Sequence, residues 1–417
     1  MKRFLPYGRQ DVGGEEMRRV RDVLESDWLT QGPKVPEFEA ALAASCGAAH
    51  AVAVANGTMA LYLAFRAAGL GPGDRFIVPP TTFVATANAG VLCGAEPVFV
   101  DIDPETLTLD PARVEAALLA DPRIRAILPV HLGGRVADLP ALKQLADRHG
   151  AVIIEDACHA IGTRWCDDGG AWHRVGDGSH GVMTCFSFHP VKSMTTGEGG
   201  AVTTNDPALA EKLAGLRTHG ITREPSRLER QDGPWYYEMH DLGINARLTD
   251  MQAAMGLVQL QKLERLCKRR LELVQRYDRA FARVPRLRVQ ARPQPDGSCW
   301  HLMIVRTPER DALYRALAAQ QIGSQVHYYP VHLQPYYRHR FGTGPGLCPA
   351  AETYYNEALS LPLFPTMNDA DQSRVIKAVR RFFADRPEVA MTAGAAIGDG
   401  CDDGDMFHGL DGLDGHD

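Results

Sequence analysis

Short apolar runs alternate with stretches of helical periodicity through the first half of the chain. Each run ends at a polar, glycine or proline residue, as the run 152–154 ends at Glu155 and Asp156. This alternation predicts repeated strand–helix–strand units and a mostly parallel sheet with helices on both faces. Because ligands of such sheets bind beyond the carboxyl ends of the strands, the residues after each run are the first candidates for a site. The predicted strands cover residues 51–55, 76–78, 97–100, 126–130 and 152–154, and the predicted helices cover residues 59–68, 111–119 and 139–148.

The second half of the chain begins with a long amphipathic segment. From Thr249, apolar residues recur at roughly helical spacing as far as Phe281, which predicts one long helix. We expect a large domain over residues 1–250, a smaller C-terminal α/β domain over residues 251–388, and a disordered tail rich in glycine and aspartate over residues 389–417. In the smaller domain, the pattern predicts strands at residues 300–305 and 325–328 and helices at residues 311–321 and 369–383.

Composition and charge narrow the class of protein. Hydrophobic residues make up 45% and charged residues 23% of the 417 residues, which is ordinary for a globular protein. The net charge is −6, but seven aspartates and no lysine or arginine lie within residues 399–417, so the remainder is nearly neutral. This balance predicts no nucleic-acid partner. The chain has no stretch of roughly 20 apolar residues, and its first residues carry charges where a signal peptide needs an apolar region. We therefore expect a soluble cytoplasmic protein that does not enter the membrane.

Cysteine and histidine spacing argues against a disulfide framework and against a metal site. The nine cysteines are scattered and contain no CxxC pair, so we expect reduced, buried thiols. No HExxH motif is present, and His173, His180 and His189 lack the spacing of metal ligands.

Lys192 is the most unusual residue of the chain. Between Val182 and Asn205, Lys192 and Glu198 are the only formal charges when histidine is neutral. A lysine in such a turn, framed by glycines, is placed for a depressed pKa and for use as a nucleophile. The alternative interpretation is an ordinary lysine of a surface turn, and Lys192 taken alone leaves both open.

Asp156 is the second candidate, because it follows a predicted central strand and should be half-buried. A buried carboxylate needs a cationic or hydrogen-bonding partner. The pyridinium nitrogen of pyridoxal phosphate is one such partner, since a protonated ring nitrogen makes the cofactor an electron sink. The alternative is that Asp156 caps a following helix.

An anion site is predicted where the first strand meets its helix. Asn56, Gly57 and Thr58 offer backbone N–H groups, a residue that allows close approach, and a hydroxyl. Ser187 could add a second hydroxyl to the same phosphate, and Phe83 could stack on a flat ring. An ordinary strand-to-helix turn with Thr58 as the cap, and a core position for Phe83, are the alternatives.

Taken together, these segments resemble the fold-type I pyridoxal-phosphate aminotransferases, specifically the DegT-type family (DegT/DnrJ/EryC/StrS), which aminates keto sugars on nucleotides. The resemblance extends over about residues 4–384. The chain departs from the family pattern at Cys158, where alanine is usual, at Ala246, where an aromatic residue is common, in a longer loop over residues 166–180, and in its acidic tail. The matching motifs are SDWLTQGP at 26–33, NGTMAL at 56–61, TTFVAT at 81–86, EDACHA at 155–160, FSFHPVK at 186–192, GEGG at 197–200 and NARLTD at 245–250.

The resemblance implies a role for each matching residue. Lys192 would bond covalently to the cofactor and act as the catalytic residue, Asp156 would pair with the pyridine nitrogen, and Phe83 would cover the ring. His159 would approach the phenolic oxygen of the ring. The phosphate would be held by Gly57, Thr58 and Ser187, joined by Asn245 from the neighbouring subunit of a homodimer. A class within the family replaces the lysine with histidine and catalyses dehydration, and Lys192 argues against that class here.

The choice of substrate rests on weaker signals. LPYGR at 5–9, THGITR at 218–223 and QVHYYPVHLQPY at 325–336 are most similar to the branch of the family that makes pseudaminic acid. That branch uses L-glutamate to aminate C4 of UDP-2-acetamido-2,6-dideoxy-β-L-arabino-hexos-4-ulose. Thr30, Arg223 and His327 are then candidates for contacts to the sugar nucleotide, with a loop hydrogen bond, a solvated charge and a satisfied strand histidine as the respective alternatives.

Three other functions stay open. The first is a C3 or C4 aminotransferase for another dTDP-, GDP- or UDP-linked keto sugar. The second is a non-catalytic regulator that binds pyridoxal phosphate, which the absence of a basic DNA-binding module disfavours. The third is a nicotinamide-dependent sugar oxidoreductase, which the missing GxGxxG motif disfavours.

Overall fold

The computed structural model describes residues 3–230 and 232–385. The tail predicted over residues 389–417 lies outside these ranges, as do residues 386–388 of the expected smaller domain. The helices are α1 (Gly14–Leu24), α2 (Lys34–Cys46), α3 (Gly57–Ala67), α4 (Val84–Leu92), α5 (Pro111–Ala120), α6 (Leu139–His149), α7 (Pro207–Leu216), α8 (Asp250–Phe281), α9 (Arg310–Ala318), α10 (Pro335–Phe341), α11 (Pro349–Glu357) and α12 (Asp369–Ala384). The strands are β1 (His50–Val54), β2 (Arg75–Val78), β3 (Glu96–Phe99), β4 (Ile124–Ile127), β5 (Val152–Asp156), β6 (Arg164–Cys166), β7 (Trp172–Arg174), β8 (Met183–Ser187), β9 (Gly200–Thr204), β10 (Ile221–Thr222), β11 (Glu238–Met239), β12 (Arg288–Val289), β13 (Met303–Arg306) and β14 (Ala358–Leu361).

The central sheet has seven strands in the order β1-β9-β8-β5-β4-β2-β3. Strands β3, β2, β4, β5 and β8 are mutually parallel, whereas β9 runs antiparallel to both β8 and β1. The expected α/β architecture with a mostly parallel sheet is confirmed. Every residue of β8 and β9 is buried, which is typical of strands covered on both faces.

The predicted helices of the first half correspond to α3, α5 and α6, each within two residues at either end. Each begins at a side-chain cap, since the carboxamide of Asn56 and the carboxylates of Asp110 and Asp138 accept backbone N–H groups of the first turn. Helix α4 was not predicted, because its sequence, VATANAGVL, has no polar face. Only two residues separate β1 from α3, so the start of α3 lies at the carboxyl end of β1.

Helix α8 is the predicted long helix, and it begins at a capping box formed by Thr249 and Gln252. Its C-terminal half packs with α9, α12 and the three-stranded sheet β12-β13-β14 around a core of its own. Leu302 and Ile304, however, pack in the core of the central sheet. The division into domains at residue 250 therefore stays a proposal. Within the described ranges, no helix is both long and apolar enough to cross a membrane.

Two strands predicted in the second half differ from the structure. The strand expected from residue 300 begins at Met303, because the N–H groups of residues 301 and 302 donate to the carbonyl of Gly133 instead. The strand predicted at residues 325–328 is wrong, since only Gln325 pairs, in an isolated bridge to Ser360. The chain then turns toward the central sheet, where the N–H of Val331 donates to the carbonyl of Pro80 at 2.9 Å.

The expectation that the cysteines are all reduced is wrong for one pair. Cys267 and Cys299 form a disulfide, and their Cα atoms lie 4.5 Å apart. They meet because α8 packs against the segment that precedes β13, a contact that sequence spacing does not reveal. Cys46, Cys185 and Cys348 are free and buried, as expected.

Candidate active site

A cavity of about 200 Å³ opens beyond the carboxyl ends of β1, β2, β5 and β8. The strand-end residues singled out from the sequence meet here because parallel strands end at the same edge of a sheet. Seven of the eight residues predicted for the cofactor site are among its lining residues: Gly57, Thr58, Phe83, Asp156, His159, Ser187 and Lys192.

One corner of the cavity is built to hold an anion. Gly57 and Thr58 are the first two residues of α3, so their backbone N–H groups have no acceptor within the helix. Ser187 faces them from the end of β8. A Cβ atom on Gly57 would lie 2.8 Å from Ser187 Cβ and 3.2 Å from its Oγ, so the space exists only because residue 57 is glycine. The helix N-terminus and the hydroxyls together suit a phosphate group.

Asp156 lines the same cavity and is only 5% exposed. Its carboxylate accepts hydrogen bonds from Thr86 Oγ1 at 2.6 Å and from the N–H of Cys158 at 3.1 Å. Thr86 Oγ1 also lies 2.7 Å from Thr82 Oγ1. This buried carboxylate therefore suits a cationic nitrogen of a ligand. It does not cap a helix, because residues 158–162 form turns.

His159 lies against the same cavity and is 6% exposed. The N–H of Gly133 donates to Nδ1 at 3.3 Å, and the hydroxyl of Tyr328 lies 3.0 Å from Nε2. The ring of His301 lies 4.4 Å from that of His159. Burial, reinforced by the positive charges of Lys192 and Arg270, holds the pKa of His301 well below its ordinary value, so His301 is neutral.

Lys192 is 7% exposed, which excludes the alternative of a solvated surface lysine. Its N–H donates to the carbonyl of His189 at 3.0 Å, which closes the turn after β8. Its own carbonyl lies 3.5 Å from a guanidinium nitrogen of Arg270, a residue of α8 that also donates to the carbonyl of Leu363 at 3.1 Å. Burial lowers the pKa of Arg270 to about 10, which leaves it charged at neutral pH. Arg270 thus ties the backbone of Lys192 to α8 and to the segment after β14.

Cys158, one of the residues that depart from the family pattern, lines the cavity beside Asp156. Burial, together with the neighbouring charge of Asp156, raises the pKa of its thiol well above the usual range. The thiol is therefore protonated at neutral pH and is a poor nucleophile.

Four predicted site residues are not among the described residues that line the cavity. Asn245 and Arg223 are exposed, and the guanidinium of Arg223 lies 5.5 Å from the ring centre of Tyr237. Thr30 is also exposed and pairs through its backbone with residue 249. His327 is buried, and its Nδ1 lies 2.8 Å from Ser360 Oγ. Their roles stay predictions.

Sequence reasoning missed Thr86, Tyr328 and Arg270. Thr86 lies within the TTFVAT motif, so the motif drew attention to its segment but not to its contact with Asp156. Tyr328 lies within the segment 325–336, next to His327. Because residues 325–328 were wrongly predicted as a strand, the sequence did not indicate that Tyr328 faces His159. Arg270 had no signal, because one arginine among the charged residues of a long helix is typical of a solvated face.

The residues present fit pyridoxal phosphate. The corner at Gly57 matches its phosphate, Asp156 matches a protonated ring nitrogen, Phe83 provides an apolar wall, and Lys192 provides a buried amine. Within the described ranges, no group of three or more His, Cys, Asp or Glu residues lies where it could hold a metal ion. Together these groups match an organic phosphate that carries a basic ring.

Comparison with known proteins agrees with this chemistry. The sequence model of the DegT/DnrJ/EryC1/StrS aminotransferase family matches residues 10–380. The spore coat polysaccharide biosynthesis protein SpsC of Bacillus subtilis is 43% identical over 384 residues, which are 90% of this chain and 96% of SpsC. Two solved structures each superpose with a TM-score of 0.84 and cover 92% of this chain.

The first of these structures is PseC of Helicobacter pylori, an aminotransferase of pseudaminic acid biosynthesis, with 29% identity over the whole PseC chain. The second is the PLP form of Spr1654 from Streptococcus pneumoniae, assigned as a sugar aminotransferase, with 30% identity over 99% of that chain. The chain belongs to the DegT/DnrJ/EryC1/StrS aminotransferase family and is a pyridoxal-phosphate-dependent sugar aminotransferase.

Proposed function

We propose that this enzyme transfers the amino group of L-glutamate to C4 of a UDP-linked 4-keto-6-deoxy-N-acetylhexosamine, UDP-2-acetamido-2,6-dideoxy-β-L-arabino-hexos-4-ulose, in pseudaminic acid biosynthesis. The observation that carries the proposed reaction is the convergence of Lys192, Asp156 and the start of α3 on one cavity. The choice of sugar is supported by the likeness to PseC and by the segments 218–223 and 325–336.

Pyridoxal phosphate, when bound, supplies an electron-withdrawing ring that stabilises negative charge on the substrate carbon. We assign Asp156 to holding the proton on the ring nitrogen. Its hydrogen bonds from Thr86 and from the N–H of Cys158 stabilise the charged carboxylate, so Asp156 can hold a cation in a dry site.

We assign Gly57, Thr58 and Ser187 to the phosphate, and Phe83 to the face of the ring. The start of α3 and Asp156 both line the cavity, so together they would hold the ring at two points and orient it toward Lys192. His159 is assigned to the edge of the ring that carries the phenolic oxygen.

Lys192 is assigned to proton transfer. Its Nζ takes the proton from Cα of glutamate in the first half of the reaction and returns a proton to C4 of the sugar in the second. Because Lys192 is buried, bulk water competes poorly for these protons. Donor and acceptor use the same cavity in turn, so we expect ping-pong kinetics.

We also propose a homodimer in which Asn245 of the partner subunit completes the phosphate site. Asn245 is exposed in the single chain, and so are large apolar side chains that a monomer would leave in water. Exposed apolar groups of this size are typical of protein interfaces. They include Trp28, Leu29, Trp235 and Leu242, of which Trp235 is 74% and Leu242 is 68% exposed.

Thr30, Arg223 and His327 stay the proposed contacts to the sugar nucleotide. The exposed guanidinium of Arg223 has the charge and geometry to bind a diphosphate. Thr30 lies near the exposed Trp28 and Leu29, so in the proposed dimer it would serve a site at the interface.

SpsC favours a second candidate, because it is 43% identical to this chain whereas PseC is 29% identical. Its name assigns it to a spore coat polysaccharide. A C3 or C4 aminotransferase for another dTDP-, GDP- or UDP-linked keto sugar, destined for a surface polysaccharide, is therefore the alternative function.

Absorption spectra of the purified holoenzyme test the proposal. L-glutamate should shift the cofactor band, and the UDP-linked 4-keto sugar should restore it, whereas dTDP- and GDP-linked 4-keto sugars should not. Lys192→Ala should abolish both changes, and the matched control Lys143→Ala, which removes an exposed helix lysine, should retain them. Restoration by a dTDP- or GDP-linked sugar alone would favour the alternative. A band that ignores L-glutamate would contradict the proposed donor.

A further inference from the structure

The hydrogen bonds of His159 determine which ring nitrogen carries its proton. The N–H of Gly133 can only donate, so Nδ1, at 3.3 Å, accepts. A neutral ring then has its hydrogen on Nε2 and donates it to the hydroxyl oxygen of Tyr328 at 3.0 Å. The tautomer of His159 is thus fixed from both sides by protein groups.

Tyr328 is itself held in place by neighbouring backbone contacts. The hydroxyl of Tyr354 donates to the carbonyl of residue 327 at 2.6 Å, and the N–H of Val331 donates to the carbonyl of Pro80 at 2.9 Å. These bonds tie the segment to α11 on one side and to the end of β2 on the other. The ring of Tyr328 lies nearly parallel to that of His159, with 24° between the planes. The backbone on both sides of Tyr328 is therefore anchored where its phenol meets His159.

We propose that Tyr328 is a positioning residue of the cofactor site, which acts through His159. With Gly133, its hydroxyl fixes the tautomer and the plane of a ring that lines the cavity, while the neutral ring of His301 supports His159 at 4.4 Å. Tyr328 comes from the C-terminal part of the chain and His159 from the end of β5. The cofactor cavity is therefore shaped by both parts of the chain. This inference rests on the proposed use of the cavity by the cofactor, but not on the identity of donor or sugar.

Removal of the hydroxyl has a predictable effect on cofactor affinity. In Tyr328→Phe without cofactor, the Nε2–H of His159 loses its hydrogen bond to the Tyr328 hydroxyl, and the ring can turn toward the open cavity to meet water. Binding of the cofactor forces the ring back, so the cost of the lost hydrogen bond then appears in the dissociation constant. That cost corresponds to roughly 5- to 150-fold weaker binding.

Pyridoxamine 5′-phosphate is the appropriate probe, because it binds without a covalent bond to Lys192. Titration calorimetry on cofactor-free protein should show weaker binding for Tyr328→Phe and unchanged binding for Tyr329→Phe. The control makes the same chemical change at the next residue, which is exposed and whose hydroxyl lies 3.5 Å from the carbonyl of Leu333. Wild-type affinity in Tyr328→Phe would overturn the proposal.

A double mutant separates positioning from general support of the fold. His159→Phe keeps a planar ring and removes both nitrogens, so in that background the further change Tyr328→Phe should alter the affinity less than about twofold. An undiminished loss in the double mutant would show that Tyr328 does not act through His159. Should Tyr328→Phe fail to fold, ¹⁵N NMR of histidine-labelled wild-type protein decides the question, since protonated Nδ1 in His159 would refute the inference. None of these measurements uses glutamate or sugar. A result that refutes the role of Tyr328 is therefore distinct from a result that refutes the proposed reaction.

Discussion

Gly57→Ala tests whether the corner at the start of α3 is the phosphate site. The added Cβ would lie 2.8 Å from Ser187 Cβ, 3.2 Å from Ser187 Oγ and 3.4 Å from Cys158 Sγ. Ordinary contacts begin near 3.4 Å, so the new atom overlaps β8 by more than half an ångström. Overpacking of this kind costs about 1–3 kcal/mol. Alanine regains up to about 1 kcal/mol of helix propensity, so we expect a net loss of about 1–2 kcal/mol in the free energy of unfolding.

Gly215→Ala is the matched control. Gly215 lies in the last turn of α7, and a Cβ there would meet no atom within 4 Å. It gains the helix propensity without the overlap, so its melting temperature should equal or exceed that of the wild type. For a protein of this size, the loss in Gly57→Ala corresponds to a decrease of roughly 1–3 °C.

The effect on the cofactor should exceed the effect on stability. Saturating pyridoxal phosphate raises the melting temperature of the wild type, since a ligand at 100 times its dissociation constant adds about 2.7 kcal/mol. Gly57→Ala should lose most of this increase, because the methyl group occupies the space between the N–H groups of α3 and Ser187. The double mutant Gly57→Ala/Ser187→Gly should recover stability without recovering the cofactor-dependent increase. A Gly57→Ala protein that melts and responds to cofactor as Gly215→Ala does would refute this assignment of the phosphate site.

Three further predictions concern other parts of the molecule. Asp156→Asn keeps an acceptor for Thr86 but removes the buried charge, which should weaken the interaction with the cofactor's ring nitrogen by about 2–5 kcal/mol. The rate of the absorbance change in a single turnover with L-glutamate should fall at least roughly 30-fold, and an unchanged rate would contradict the proposed ion pair. Protein denatured without reductant should show two fewer thiols than its nine cysteines, because Cys267 and Cys299 are paired; nine titratable thiols would contradict the disulfide. Hydrogen bonds, led by the N–H of residue 229, lower the pKa of Glu238 to about 2. The contribution of Glu238 to loop order is therefore present above its ordinary pKa and is lost as the pH falls toward 2. At neutral pH, Glu238→Gln should speed tryptic cleavage within residues 224–237, and unchanged cleavage would count against this role.

The predictable part of this molecule is the part that local sequence determines. Residues 152–156 form a strand whose apolar positions require burial, and Asp156 ends this strand at the edge where parallel strands present their ends. Gly57 and Thr58 begin α3 shortly after β1, so they lie at the same edge of the sheet. Periodicity and strand ends thus predict the edge of the sheet that carries the cofactor cavity, and the motifs indicate its chemistry.

The remainder depends on contacts between distant segments. Thr86 reaches Asp156 across 70 positions of sequence, and Tyr328 reaches His159 across 169. Helix α4, which carries Thr86, has no amphipathic pattern, and the segment around Tyr328 was predicted as a strand because its residues favour one. The local sequence around Thr86 and Tyr328 does not distinguish their hydroxyls from those of residues that only face solvent. Their partners become apparent only when the elements are packed.

The same distinction explains why the cofactor site is better defined than the sugar site. The residues assigned to the cofactor lie at the ends of strands, so a single chain assembles nearly all of them. Thr30, Arg223 and Asn245 are exposed in the single chain, as are Trp28, Leu29 and Leu242 nearby in sequence. A sugar pocket built from such segments is complete only in the proposed dimer, and small changes in these loops would alter the substrate without disturbing the cofactor. Substrate choice in this enzyme is therefore expected to follow the loop that carries Arg223 and Trp235, and exchange of that loop with the corresponding loop of SpsC should change the preferred sugar before it changes cofactor affinity.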